Sequence, residues 1–235
     1  MVDTFEESSS FGLFAGIVNM ASVTGNFAKC SVREVLKSII LLFIDGASSQ
    51  VYAPKLRKKL AWYSRKQFGC SWGVDETYIK VSGKWVYLYR AIDRFGNTID
   101  FYLSTKRNKV SAKRFLQKAL GGCDPDSYPT IINTDKHASY KGALKVLKKE
   151  RRIPQDIEIR QVKYLNNRIE SDHGKLKRLI KPCLGFKSMT TAWNTIQGFE
   201  SMRMLKKGQM NAWLFGDKVR AEVRLVNRVF GIYEI

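Results

Sequence analysis

From residue 72 onward the chain adopts a regular rhythm of strands and helices, one that several α/β folds share. Three β-rich runs, "GVDETYIKV", "KWVYLYRAID" and "TIDFYLSTK", are separated only by the turn signals "SGK" and "RFGN", which predicts an antiparallel meander. The period then lengthens. "SAKRFLQKAL" carries apolar residues at helical spacing and is stopped by Gly121 and Gly122. "TIINTD" predicts a short buried strand, "YKGALKVLKKE" a helix and "DIEIRQVKY" a further strand. In "LNNRIESDHGKLKRLIK", Leu165, Ile169, Leu176 and Ile180 recur on one helical face. A last amphipathic helix is predicted over "TTAWNTIQGFESMRMLKK". Three strands, helix, strand, helix, strand, helix is an α/β order: a mixed sheet whose opening strands are antiparallel and whose later strands are joined through helices.

The charge divides the chain at a different place. Residues 1–49 hold Lys29, Arg33 and Lys37 against Asp3, Glu6, Glu7, Glu34 and Asp45, a net of −2, so the remainder carries +22 of a total of +20. That part is Ser- and Gly-rich, and only "SVREVLKSIILLF" reads as helical, with Ser31 and Glu34 spaced as a capping box. The stretch that follows, "YAPKLRKKLAWYSRKQF", has six cations and no acid and reads as a helix or connector facing phosphates. A pI near 9.9 suits a polyanionic partner, nucleic acid before membrane, because no amphipathic or lipidated anchor is visible. The longest apolar run, "IILLFI", is too short to span a bilayer. The first charges are acidic, unlike those of a signal peptide, and Cys30, Cys70, Cys123 and Cys183 are far apart with no C-x-x-C pair. The expectation is a cytoplasmic protein with free thiols and neither a zinc site nor a disulfide framework.

Two acids stand at unusual places. Asp75 lies inside a predicted strand, where Asp is disfavoured, and Asp135 ends "TIINTD", at the edge where open α/β sheets bind ligands. The string of elements is similar to that of an RNase H-like core, a mixed five-stranded sheet flanked by helices in which the first and fourth strands are neighbours. The two carboxylates would then lie side by side and repel unless a cation sits between them. Glu170 supplies a third acid from a helix, on a face shared with His173 or Gly174, Lys177 and Lys181. Such a trio could hold two Mg²⁺ or Mn²⁺ ions through hard oxygen ligands and promote an in-line phosphoryl displacement.

Plainer readings exist for each. An Asp after a strand is commonly a turn or N-cap residue, and Glu170 on a helix is by default a solvated ion-pair partner. Strand alternation sends Asp75 and Glu76 to opposite faces without saying which one meets a metal. Asp93, Asp100 and Asp172 compete, although "AIDRFGN" makes Asp93 turn chemistry. The aromatics of "KWVYLYR" read as core and cross-strand pairs rather than base-stacking platforms, and His137 and His173 as polar surface residues.

"WGVDETYIKVSGKWVYLYRAIDRFGNTIDFYLSTKRN", "INTDKHASY", "KYLNNRIESDHGKLKRLI" and "LGFKSMTTAWNTIQGFESMRMLKKGQ" resemble the catalytic core of bacterial and archaeal insertion-sequence transposases of the IS-six family. The resemblance covers about residues 50 to 230 and includes a D…D…E signature, with 34 residues between Asp135 and Glu170 and a Lys seven positions after the Glu. It implies that Asp75, Asp135 and Glu170 form the metal-binding catalytic triad with Mg²⁺ or Mn²⁺, two ions. Lys177 would contact DNA near the cleaved phosphate, with Lys175, Arg178, Lys181 and Asn167 as further DNA-binding candidates. It also implies cleavage at transposon 3′ ends, strand transfer into target DNA, cointegrate formation, and action as a dimer or higher oligomer on terminal inverted repeats in the nucleoid.

The N-terminus departs from that pattern. The family carries a helix-turn-helix ending in a motif of which only "YAP" at 52–54 remains here, and "SVREVLK" stands at the wrong distance. The expected organisation is a degenerate or replaced helix-turn-helix region (1–50), a basic connector (51–71), an RNase H-like core (72–187) and a C-terminal helical extension (188–235). Alternatives to a working transposase are a non-catalytic DNA-binding remnant and a cellular RNase H-like nuclease.

Overall fold

In a computed structural model, the structure describes residues 53, 54, 57, 58, 60, 69–123, 127–135 and 138–209. The helix-turn-helix expectation for residues 1–50, most of the connector and His137 lie outside the described residues.

β1 (Ser71–Val81), β2 (Lys84–Asp93) and β3 (Thr98–Ser104) form the antiparallel meander. Ser82 and Gly83 both have positive φ, 49° and 75°, the requirement of a two-residue turn whose twist matches that of the flanking strands. At the second turn Asp93, almost fully buried, accepts from the backbone N–H groups of Phe95 and Asn97 and from the Asn97 side chain, as its turn reading anticipated. α1 (Lys109–Gly121) starts at Asn108, whose side chain accepts from the Ser111 N–H. β4 (Ile131–Thr134), α2 (Ala138–Lys149), β5 (Glu158–Arg160), α3 (Asn167–Ile180) and α4 (Met189–Lys206) follow, with 3₁₀ turns at Lys163–Asn166 and Lys181–Cys183.

The sheet order is β3-β2-β1-β4-β5, with β4 parallel to both β1 and β5. This is the RNase H-like arrangement expected from the element string. Period-two alternation assigns the faces. Trp72 and Val74 of β1 pack with Tyr89 and Ala91 of β2 beneath Phe115 and Leu116 of α1 and Tyr140 and Leu144 of α2. Ile79 and Val81 pack with Val86, Leu88, Phe101 and Leu103 beneath Leu176 of α3 and Ile196 and Phe199 of α4. Ala53 and Leu60 join this second core. A register shift at Ala91/Ile92 turns Ile99 to the α1/α2 side, while Thr98 faces α4.

Two elements differ from expectation. β5 is three residues long, because β4 offers it only Ile131 to Asn133 as partners, and the chain then coils into a 3₁₀ turn. α4 is not amphipathic along its C-terminal half: every residue from Gly198 to Leu205 is buried, Glu200 and Arg203 included. α4 packs in the same core as the sheet.

Candidate active site

The site begins where β4 stops. β1 and β4 pair from Ser71↔Ile131 to Val74↔Thr134, so the next residues on the two strands, Asp75 and Asp135, stand side by side. Past that point no described strand pairs with β1 on its β4 side until Val81 bridges to Phe186. Among the described residues, that edge of the central strand is therefore without a partner strand from Asp75 to Ile79.

Alternation decides what the sequence left open. Asp75 faces the α3/α4 side, with Arg90 as its cross-strand partner, while Glu76 faces α1 and α2. Carboxylate oxygens of Asp75, Glu76 and Asp135 lie within 4.8 Å of one another, which forms a potential metal-holding group among the described residues. Their solvent access differs: the side chains are 14%, 3% and 36% exposed respectively. Glu76 is also chemically engaged, since its Oε1 accepts from Arg107 and its Oε2 from the Tyr140 hydroxyl. Burial, then the Glu76 charge, pushes the Tyr140 hydroxyl well above its ordinary range and that of Tyr89 up to about 12, so both remain donors. Arg107 also reaches Asp135 Oδ2 at 3.5 Å. Glu76 is thus the counter-ion of a guanidinium that leans across the site.

Of the third acid the structure says less. Glu170 lies on α3, exposed, outside the cluster of three carboxylates. Its helix is nonetheless docked on Asp75 through His173, one turn further on. The reading of His173 as a surface residue is corrected: it is 6% exposed and held between Arg90 and Asp75. Tertiary packing overrides the pattern here, because α3 leans its Ile169–His173–Leu176 side on the sheet. Gly174, not His173, shares the solvent side with Glu170. Asn167, Lys175, Lys177, Arg178 and Lys181 are exposed on or just after this helix.

The His173 tautomer follows from its neighbours. Arg90 Nη1 lies 3.2 Å from Nδ1, and a guanidinium only donates, so Nδ1 accepts and the proton is on Nε2. Nε2 points at Asp75 Oδ2 from 3.5 Å, long for a hydrogen bond but close enough to orient the carboxylate. Burial lowers the His173 pKa, a trend that Asp75 opposes, so the ring is neutral at pH 7.

Behind His173 lies a buried ionic cluster that the sequence did not announce. Arg90, 1% exposed, bonds Asp172 Oδ2 at 2.6 Å and Glu200 Oε1 at 2.9 Å. Arg203 and Lys207 bind Asp172 Oδ1 at 2.5 and 3.2 Å, and Thr98 donates to Glu200 Oε2 at 2.9 Å. Burial would raise the Asp172 carboxyl, but Arg90, Lys207 and Arg203 outweigh it and hold the group at about 2. Asp172 is therefore committed to structure, as is Asp100, which pairs with Lys118. The missed residues are Arg90, His173, Glu200 and Arg203. Their partners are up to 110 positions away, so no local pattern signals them.

The donor set fits a hard divalent cation: carboxylate oxygens within 4.8 Å need only a side-chain adjustment to reach the roughly 4 Å that opposite Mg²⁺ ligands span. A family model described as a DDE domain, of IS240-type transposases, matches residues 69–209. Fold and matched segment together define a DDE transposase domain. The chain is 36% identical over 175 residues to the transposase for insertion sequence-like element IS431mec of Staphylococcus aureus, a match covering 71% of each chain. The chain belongs to the IS-six family of insertion-sequence transposases, within the polynucleotidyl transferases. An uncharacterized protein of Yersinia pseudotuberculosis is 52% identical over 80 residues, 34% of this chain and 75% of the relative. Among solved structures, the HTLV-2 integrase catalytic core domain in complex with magnesium (trimeric form) is similar at 14% identity and a TM-score of 0.44, covering 68% of this chain and 97% of that one. Among the described residues no helix is long and apolar enough to cross a membrane.

Proposed function

We propose that this chain cuts the 3′ ends of its insertion sequence and joins them to target DNA, with Asp75, Asp135 and Glu170 as the catalytic acids. The observation that supports this best is the meeting of Asp75 and Asp135 at the end of β4, beside an open strand edge and under the helix that carries Glu170. Asp75 and Asp135, joined by Glu170 from α3, would hold Mg²⁺ or Mn²⁺, two ions. When bound, these activate a water or a 3′-hydroxyl and stabilise the leaving oxygen of an in-line displacement. Glu76 belongs to the carboxylate group, but Arg107 and Tyr140 each hold one of its oxygens, so the third place is assigned to Glu170. His173 orients Asp75, and Arg107 restrains Asp135. Lys177, with Lys175, Arg178, Lys181 and Asn167, lines the DNA path, where cations lower the cost of bringing a phosphate to acidic residues. The partners are transposon ends, target DNA and further copies of the chain.

Strand transfer with purified protein, Mg²⁺ or Mn²⁺ and pre-cleaved transposon-end DNA tests the proposal, with Asp135→Asn as control. Product that vanishes in the variant supports it. A second reading, a DNA-binding remnant without catalysis, is favoured by the acidic balance of residues 1–49, a net of −2, because a segment that reads DNA should be basic. No strand transfer from this chain, with duplex binding retained and a family member carrying a complete N-terminus active in parallel, would select the remnant.

A further inference from the structure

Two aromatic rings that alternation would assign to a covered face are bare. Tyr78 and Trp85 lie on the α1/α2 side of β1 and β2, yet they are 55% and 62% exposed, because the helices cover that face only from Trp72 to about Tyr87. Their centroids are 5.3 Å apart in an edge-to-face pair. Lys177 reaches around the open edge of β1 from α3 and sets its Nζ 5.0 Å from the Tyr78 ring. Lys80, exposed, is the cross-strand partner of Trp85. The nearest acid in sequence, Glu76, is 3% exposed and neutralised by Arg107. Large exposed aromatics flanked by cations, with the nearby acid buried and paired, match the chemistry of sites for unpaired nucleotides, where bases stack and phosphates meet ammonium groups. A duplex keeps its bases stacked internally and offers these rings nothing. Tyr78 is three residues beyond Asp75, ~10 Å along the edge at the usual rise of a strand.

We propose that Tyr78 and Trp85 form a stacking platform for an unpaired base of the DNA strand leading away from the scissile phosphate, with Lys177 holding the adjoining phosphate. The proposal rests on the transposase reading above and adds to it a site for single-stranded DNA. It assigns the strand edge beyond Asp75 to a frayed or overhanging end. A neutral apolar protein surface would gain little from the two lysines, and an anionic strand gains from both features.

The full chain is titrated with a blunt duplex and with the same duplex carrying a short 3′ overhang that contains 2-aminopurine. The wild-type chain is expected to prefer the overhang and to quench the probe. Tyr78→Ala and Trp85→Ala are expected to lower the overhang-to-blunt affinity ratio about tenfold and to restore the fluorescence, whereas Tyr78→Phe and Trp85→Phe keep both. Unchanged ratios in the alanine variants overturn the platform while leaving the transposase reading intact. Equal losses on both DNAs, with a lighter species in sedimentation, overturn it in favour of a contact between copies. Failure of the wild-type chain to bind either DNA removes the transposase reading as well.

Discussion

Asp75 and Glu76 are neighbours in sequence with different tasks, and alternation alone separates them. Glu76 turns to a face where Arg107 and Tyr140 use both of its oxygens, so its charge is consumed within the fold. Glu76→Gln should therefore lower stability by about 1–3 kcal/mol, the usual cost of leaving a buried donor short of a partner, and a thermal melt would show it. Glu170→Gln should show the reverse pattern, with an unchanged melt and no strand transfer. His173→Ala removes the group that orients Asp75 and should weaken apparent Mn²⁺ affinity about 10- to 100-fold, measured as the ion concentration giving half-maximal strand transfer. A tenfold smaller effect would reduce His173 to packing. Much of this was readable in advance: Asp75 and Asp135 stood out as acids in and after strands. His173 did not, because a histidine among the charges of "IESDHGK" looks solvated until Arg90 and Asp75 enclose it.

Helices α3 and α4 are fastened to the sheet by charge as well as by apolar contact. Arg90 is shared by Asp172 of α3 and Glu200 of α4, so one guanidinium sets both helices relative to the strand beside Asp75. Breaking such a buried pair strands the remaining charge, and Glu200→Ala should cost about 3–5 kcal/mol in denaturant unfolding. The same cluster sets the acid limit of the fold. The Arg90 and Arg203 charges outweigh burial and hold the Glu200 carboxyl below its ordinary value, and Asp172 is held at about 2. Both folded-state values are depressed, so their stabilisation is complete above the ordinary carboxylate range and fades as pH falls from about 4 towards 2. Melting temperature should fall over that window and more gently for Arg90→Met, whose carboxylates have lost their main partner. The element order was legible because period two and period 3.6 are local properties. The length of β5 was not, being fixed by how few residues of β4 are there to pair, and neither were the charged residues inside α4, whose partners arrive from β2 and α3. The bare face at Tyr78 and Trp85 was hidden for a related reason: helix coverage of a sheet is a matter of where the helices end.

Over the whole molecule a net charge of +20 predicts binding to duplex DNA that weakens steeply with salt. Lys177→Ala and Lys181→Ala should each reduce the slope of log K against log [salt] by about 1 in filter-binding titrations, with little dependence on sequence. Deleting residues 1–49, which carry −2, should leave that slope unchanged, and a marked drop would show that the segment reads phosphates after all. The end of β4 at Thr134 has one more consequence. A strand edge that no described residue pairs from Asp75 to Ile79 is a template for another backbone, and the contact of Phe186 with Lys80 and Ser82 blunts only its far end. An extended peptide laid along that edge would add a sixth strand to the sheet and seal the catalytic notch, so backbone mimicry offers a route to inhibition that imitates neither DNA nor metal.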